Sequence, residues 1–175
     1  MGRERGRQGR HGRQEGFKEE EGGFRDTVVK IVRCAKVVKG GKRFSFGALV
    51  VVGNHQGDVG MGYGKANEVP VAVEKAIKDA KKNLLNIPLV HGTIPHRVEG
   101  RYGATRVVMI PAGDGTGIKA GSAARAILQM VGIQNVLTKV LGNTNPRNVL
   151  KATLEGLGRV RTRQQIEELR GVRLS

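Results

Sequence analysis

Four cations crowd one predicted turn. Lys36, Lys39, Lys42 and Arg43 flank Gly40-Gly41, a dipeptide that readily supplies the positive φ angles of a tight hairpin. Like charges held this close repel one another in water. The tip is therefore more comfortable against a polyanion, where each cation displaces a condensed counterion from a phosphate. Phe44 and Phe46 follow in KRFSFGAL (42–49), spaced to stack bases as an aromatic RNA-binding strand does, although Arg43, Ser45 and Gly47 depart from that pattern. Core packing is the commoner fate of two such phenylalanines, with Phe44 beside the basic tip as the exception.

Other residues are arranged less persuasively for chemistry. Gly115-Thr116-Gly117-Ile118-Lys119-Ala120 has G-x-G-x-x-A spacing after a strand pattern and before a helical one, the context of a dinucleotide loop. Such loops need an acid about 20 residues on for the ribose, and no Asp or Glu stands between Asp114 and Glu155. The wider run PAGDGTGIKAGSAA, with Gly113 to Gly121 at its centre, resembles the phosphate loop of small-metabolite kinases. Those enzymes also need a second lobe and acids for magnesium, which this chain does not clearly supply. That reading stands as the alternative function. Gly64-Lys65 ends like a Walker loop, but Ala66 stands where a metal-binding hydroxyl is required. His11, His55, His91, His96 and Cys34 show no metal-ligand spacing, and no nucleophile–base set can be assembled. No enzyme, no metal and no cofactor are expected. His55 lies in a turn, where it touches phosphate or nothing, and Lys119 and Arg125 beside the glycine run join the candidate RNA contacts.

Charge narrows the class of partner. Lys and Arg number 31 against 15 Asp and Glu, a formal charge of +16 over 175 residues. Such an excess attracts nucleic acid or an anionic membrane, and the longest apolar run is far too short to span a bilayer. Aromatics are only 3%, too few for a surface that stacks many bases, so phosphates and groove shape carry the grip. The N-terminal residues are rich in Arg, Gly and Gln with no apolar run, so no secretory signal is expected, and a lone Cys34 fits a reducing compartment.

The elements that must position these residues are legible from periodicity. Residues 1–23 hold little apolar surface and are expected to be a disordered tail of mixed charge. Arg25 to Lys39 reads as a long strand. With the strand into Ala48–Val52 and a third through Val59, Met61 and Tyr63, it makes a meander, turning at Gly40-Gly41 and at Asn54 to Gly57. Gly60, Gly62 and Gly64 give that third strand a bare face, open to close approach by a helix, a backbone or a sugar-phosphate chain. We read the whole as a basic, glycine-smoothed platform for nucleic acid. Pro70 opens a helix whose stripe is Val69, Ala72, Val73, Ala76, Ile77, Ala80 and Leu84. A second β-β-α-β-α pattern follows: strands at Thr93–Glu99 and Ala104–Pro111 joined through Gly100 to Gly103, and a helix at Ser122–Val131 ended by Gly132. A strand at Val136–Leu141 comes next, then a helix started by Asn145-Pro146. The fold class is α+β, with two small α/β domains at 24–88 and 89–158 and a basic tail at 159–175.

Five stretches then carry a resemblance: VVKGGKRFSFGALVVVG, GYGKANEVPVAVEKAIKDAKKN, GTIPHRVEGRYGATRV, PAGDGTGIKAGSAARAIL and LGNTNPRNVLKATLEGL. Together, over roughly 24–157, they are similar to the bacterial-type small-subunit ribosomal protein S-five family. The resemblance implies a double-stranded-RNA-binding-like β-β-β-α domain, then a C-terminal domain whose βαβ unit is left-handed against the general preference. It implies a structural protein of the cytoplasmic ribosome, with an organellar ribosome as the alternative, that binds ribosomal RNA, holds head against body and influences decoding accuracy near the messenger RNA entry path. Ribosomal proteins S-four and S-eight are the implied neighbours. The family's RNA-contacting loop, to which its spectinomycin-related behaviour belongs, falls on Lys39 to Phe44 here. GYGKA adds Lys65 as an RNA-proximal cation, and the region of Arg101 and Arg106 matches the face toward S-four.

Overall fold

Hydrophobic alternation fails over Ala48–Val52, and the architecture explains why. In the computed structural model, which describes residues 23–172, this run lies in β2 (Gly41–Gly53), between β1 (Arg25–Val38) and β3 (Asp58–Ala66) of an antiparallel sheet. A short strand β4 (Leu84–Asn86) adds to β3 at the edge. Ala48, Val50 and Val52 pack under helix α1 (Val69–Lys82). Leu49 and Val51 point the other way, into a core shared with helix α2 (Ser122–Val131). A strand covered on both faces reads as one apolar run instead of alternating. The tail expected at 1–23 lies, apart from Gly23, outside the described residues.

Helix α1 begins at Val69-Pro70, with proline in the first turn where its missing N–H costs nothing. Ala72, Ala76 and Ala80, one turn apart, are fully buried against β3. Their partners are the alternate glycines. A Cβ on Gly60, Gly62 or Gly64 would collide with the carbonyl oxygens of Ala80, Ala76 and Ala72 respectively. The bare face is real, but a helix occupies it. The expected glycine platform is therefore not open to RNA on that side. Leu84, expected on the helical stripe, instead begins β4 and is exposed.

The second sheet has the order β5-β6-β8-β7, from β5 (Val98–Tyr102), β6 (Thr105–Pro111), β7 (Ile118–Lys119) and β8 (Val136–Gly142). Only β7 and β8 are parallel, joined across α2. Helices α3 (Pro146–Leu157) and α4 (Arg163–Arg170) complete the described chain. The strand predicted from Thr93 starts at Val98, and Thr93 forms only an isolated bridge to Val90. Gly100, predicted as part of the turn, lies inside β5. There α3 approaches so closely that a Cβ would strike the Ala152 carbonyl and lie 2.6 Å from the Gly156 nitrogen. The turn itself falls at Gly103-Ala104. The Asn145-Pro146 start of α3 forms as expected, with the Asn145 side chain accepting from the Arg147 amide at 3.2 Å.

One contact ties the two sheets together at a helix end. Gly132 terminates α2 with φ 95°. The β2–β3 turn supplies donors to the carbonyls left over there. The His55 amide donates to Met130 O at 2.9 Å and the Gly57 amide to Val131 O at 3.0 Å. Asn54 shapes that turn, accepting from the amides of Gln56 and Asp58. Gly132→Ala puts a side chain at a left-handed φ and against the His55 carbonyl. Gly103→Ala meets the same kind of strain, at φ 56° with open space around it. The expected thermal shifts differ accordingly. Gly103→Ala costs about 1 kcal/mol, or roughly 2–4 °C, and Gly132→Ala clearly more; equal melting temperatures by calorimetry would remove the steric part of this account.

Candidate nucleic-acid interface

β3 pairs with β2 no further toward the tip than Phe46, opposite Ala66. Beyond that point β1 and β2 run on alone as a two-stranded ribbon. Val38 pairs with Gly41, so the turn is centred on Lys39-Gly40, one residue earlier than expected, with φ 94° at Gly40 and 148° at Gly41. Register sorts the side chains. Lys36 stands opposite Arg43 and Cys34 opposite Ser45, which makes one face cationic and polar. Ala35 stands opposite Phe44 and Val37 opposite Lys42, which makes the other face largely apolar. Phe44 is 46% exposed and Val37 73%, while Phe46 is half-buried. Lys36, Lys39, Lys42 and Arg43 are all exposed, and none is ion-paired among the described residues.

Arg33 joins this site although the sequence did not single it out. Its guanidinium sits 3.7 Å from the Phe44 ring centroid, a cation–π contact on the apolar face. Once the turn is fixed, strand pairing brings the two to the same face, so register was the signal that could have found it.

The remaining candidates are spread over the molecule. Lys65 is exposed near the end of β3, opposite Gly47. His55 sits in the turn against α2, where its Nδ1–H donates to the Gln129 carbonyl at 2.7 Å. That bond fixes the tautomer, because a carbonyl only accepts. Lys119 is exposed on β7, and Arg125 donates from Nη2 to the Ile118 carbonyl at 3.2 Å. Arg101 is exposed, with its amide donating to Glu155, and Arg106 pairs with Glu99 at 2.8 Å.

The glycine loop closes on itself. The Thr116 amide donates to Gly113 O, and the Gly117 amide to Oδ1 of buried Asn135, whose Nδ2 donates to Asp114. Strand β7 intervenes between this loop and α2. The amides of Thr116 and Gly117 are thus already engaged within the protein, where a nucleotide phosphate loop keeps its amides for the ligand.

A second basic cluster has no signal along the sequence. The Lys151 ammonium donates to the Tyr102 phenol at 3.0 Å and lies 4.6 Å from that ring's centroid. This hydrogen bond and charge, with a smaller contribution from Arg147, hold the Tyr102 pKa below its ordinary value. The Arg147 guanidinium lies 4.9 Å from the Tyr63 ring centroid.

Comparison with known proteins decides what the ribbon and its two sheets belong to. Residues 24–88 match the model of ribosomal protein S5, N-terminal domain, and residues 100–170 that of ribosomal protein S5, C-terminal domain. The chain belongs to the ribosomal protein S5 family. A small ribosomal subunit protein uS5 from Rhodopirellula baltica is 60% identical over 152 residues, covering 87% of this chain and 86% of that one. Its counterpart from Syntrophobacter fumaroxidans is 57% identical, covering 83% and 88%. That of Lawsonia intracellularis is 51% identical, covering 89% and 95%. Ribosomal protein S5 is a structural family without enzymatic activity. The S5 fold of two α+β units, β-β-β-α followed by a mixed sheet with helices, is the one seen here. No helix among the described residues is long and apolar enough to cross a membrane.

Proposed function

We propose that this chain is a structural constituent of the small ribosomal subunit, resident in the cytoplasmic ribosome, and that its β1–β2 ribbon seats it on ribosomal RNA. The observation that carries this reading is a two-stranded hairpin, extended beyond the third strand, with four exposed cations and no acidic partner among the described residues. Phosphates supply the missing counter-charge, and the rigid ribbon fixes where each cation lands. Lys36, Lys39, Lys42, Arg43 and Phe44 make the principal contacts around Gly40-Gly41. Lys65, His55, Lys119 and Arg125 are secondary ones.

The outer face of the second sheet suits a protein neighbour better than RNA. Arg106 stands opposite Leu141 and Ile110 opposite Leu137, and all four are exposed. Exposed aliphatic side chains on a sheet face mark a protein contact more than a phosphate contact. With Arg101, this face is the proposed seat of S-four, S-eight being the other neighbour. Through these contacts the chain holds head against body and tunes decoding accuracy near the messenger RNA path. Crosslinking of the assembled subunit, mapped by residue number, tests the RNA reading. Nucleotide adducts are expected at residues 36–44, and a map with adducts elsewhere and none on the ribbon overturns it.

A further inference from the structure

Helix α3 carries Arg147 and Lys151 one turn apart, a spacing at which two cations disfavour a helix. The acid next along that face, Glu155, is turned toward Arg159 and the Arg101 amide. Each cation lies instead against a tyrosine: Arg147 against Tyr63 and Lys151 against Tyr102. These are the chain's two tyrosines, one on β3 of the first sheet and the other on β5 of the second. Lys65 stands two residues from Tyr63 on the same strand, hence on the same face, and is exposed. The cluster therefore draws on both halves of the molecule, with Lys65 near the root of the ribbon and the rest beyond it.

We propose that Lys65, Arg147, Lys151 and Tyr102 form a second RNA-backbone contact that straddles the two sheets. The inference rests on the RNA-binding reading above. What the cluster offers is almost wholly donor: the Arg147 guanidinium, the remaining ammonium protons of Lys151 and the Tyr102 O–H. Such a set fits a ligand made of acceptors with negative charge, which is a phosphate chain. Each tyrosine ring already carries a cation over its face, so base stacking is not its role. An acidic peptide has the same charge and commonly docks on Tyr and Arg, but both rings here are already engaged by cations of the chain itself, so what is left for a ligand is charged donors and not aromatic anchors. The contact binds both halves of the protein to one RNA surface.

The test uses the full chain and a full-length small-subunit ribosomal RNA transcript, with affinity measured across a salt series. Arg147→Gln with Lys151→Gln, which keeps the side-chain stems, is expected to lower the slope of log affinity against log salt by about two. Lys36→Ala with Arg43→Ala on the ribbon removes about two more, additively. If the ribbon pair lowers the slope and the α3 pair does not, the second contact is overturned while the first stands. If neither pair moves it, the RNA-binding reading itself fails. An unchanged slope with loss of a neighbouring protein from the reconstituted particle assigns the cluster to a protein and also overturns the proposal. Should the α3 pair fold poorly, the single variants Arg147→Gln and Lys151→Gln answer the same question: a slope lower by about one in each supports the contact and an unchanged slope in both overturns it.

Discussion

Lys36→Ala combined with Arg43→Ala binds small-subunit ribosomal RNA about thirty-fold more weakly at physiological salt, with a salt slope shallower by about two. The magnitude follows from counterion release: taking the B-form duplex value, each phosphate contact adds roughly 0.9 to the slope and at this ionic strength is worth about five-fold. A second signature separates lost binding from lost structure. Lys36 and Arg43 stand directly opposite one another across the ribbon. Like charges so placed strain a sheet, so the free double variant melts at a higher temperature than the parent. Weaker binding together with a higher melting temperature marks a surface shaped for its ligand at the expense of the free protein. The pair Lys42→Ala and Arg43→Ala, split between the two faces, tests which face meets phosphate. A slope change of about one, half that of the same-face pair, is expected if the cationic face alone does so. An unchanged slope in both pairs, measured by filter binding, removes the hairpin from the interface.

Gly62→Val leaves no foldable protein. The new side chain would have to occupy the position of the Ala76 carbonyl, with the Ala80 nitrogen of the same helix only 2.5 Å away. Both are backbone atoms of α1, so no rotamer change relieves the collision. The helix must lift off the sheet, which also uncovers Ala48, Val50 and Val52. A loss above about 4 kcal/mol is expected, enough to unfold a domain of ordinary stability. Gly113→Val provides the contrast, since its Cβ direction meets nothing within 4 Å. Soluble yield and circular dichroism of the two variants side by side check this. A folded Gly62→Val chain with an unchanged melting temperature would sink the close-packing account.

Much of the fold was legible because local chemistry decided it. Asn145-Pro146 and Gly132 mark helix ends through cap geometry alone, and β1 to β3 follow from strand composition and turn residues. The errors arose where distant residues decide. Gly100 looks like a turn residue until the close approach of Ala152 and Gly156, which sequence distance conceals, makes it a strand residue. Alternating Gly60, Gly62 and Gly64 announce a close approach, but not whether a helix or an RNA makes it. Of the site, the four ribbon cations were legible, because a turn and its flanking charges are contiguous. Their division between two faces needed the pairing register. The tyrosine–cation bridges join residues from elements far apart in the chain, and no spacing rule reaches that far.

The sharing of one core between the sheets bears on how the molecule is made. Leu49, Val51 and Val59 emerge from the ribosome well before Ile127, Leu128 and Met130, which cover them in the finished protein. During vectorial synthesis the nascent first sheet can dock α1 on its upper side while its lower side stays wet. Helix α2, in turn, gains the donors for its last carbonyls only when it finds the waiting His55 turn. The lower side of the first sheet is thus covered only after α2 has been made, so its packing is completed later than that of α1.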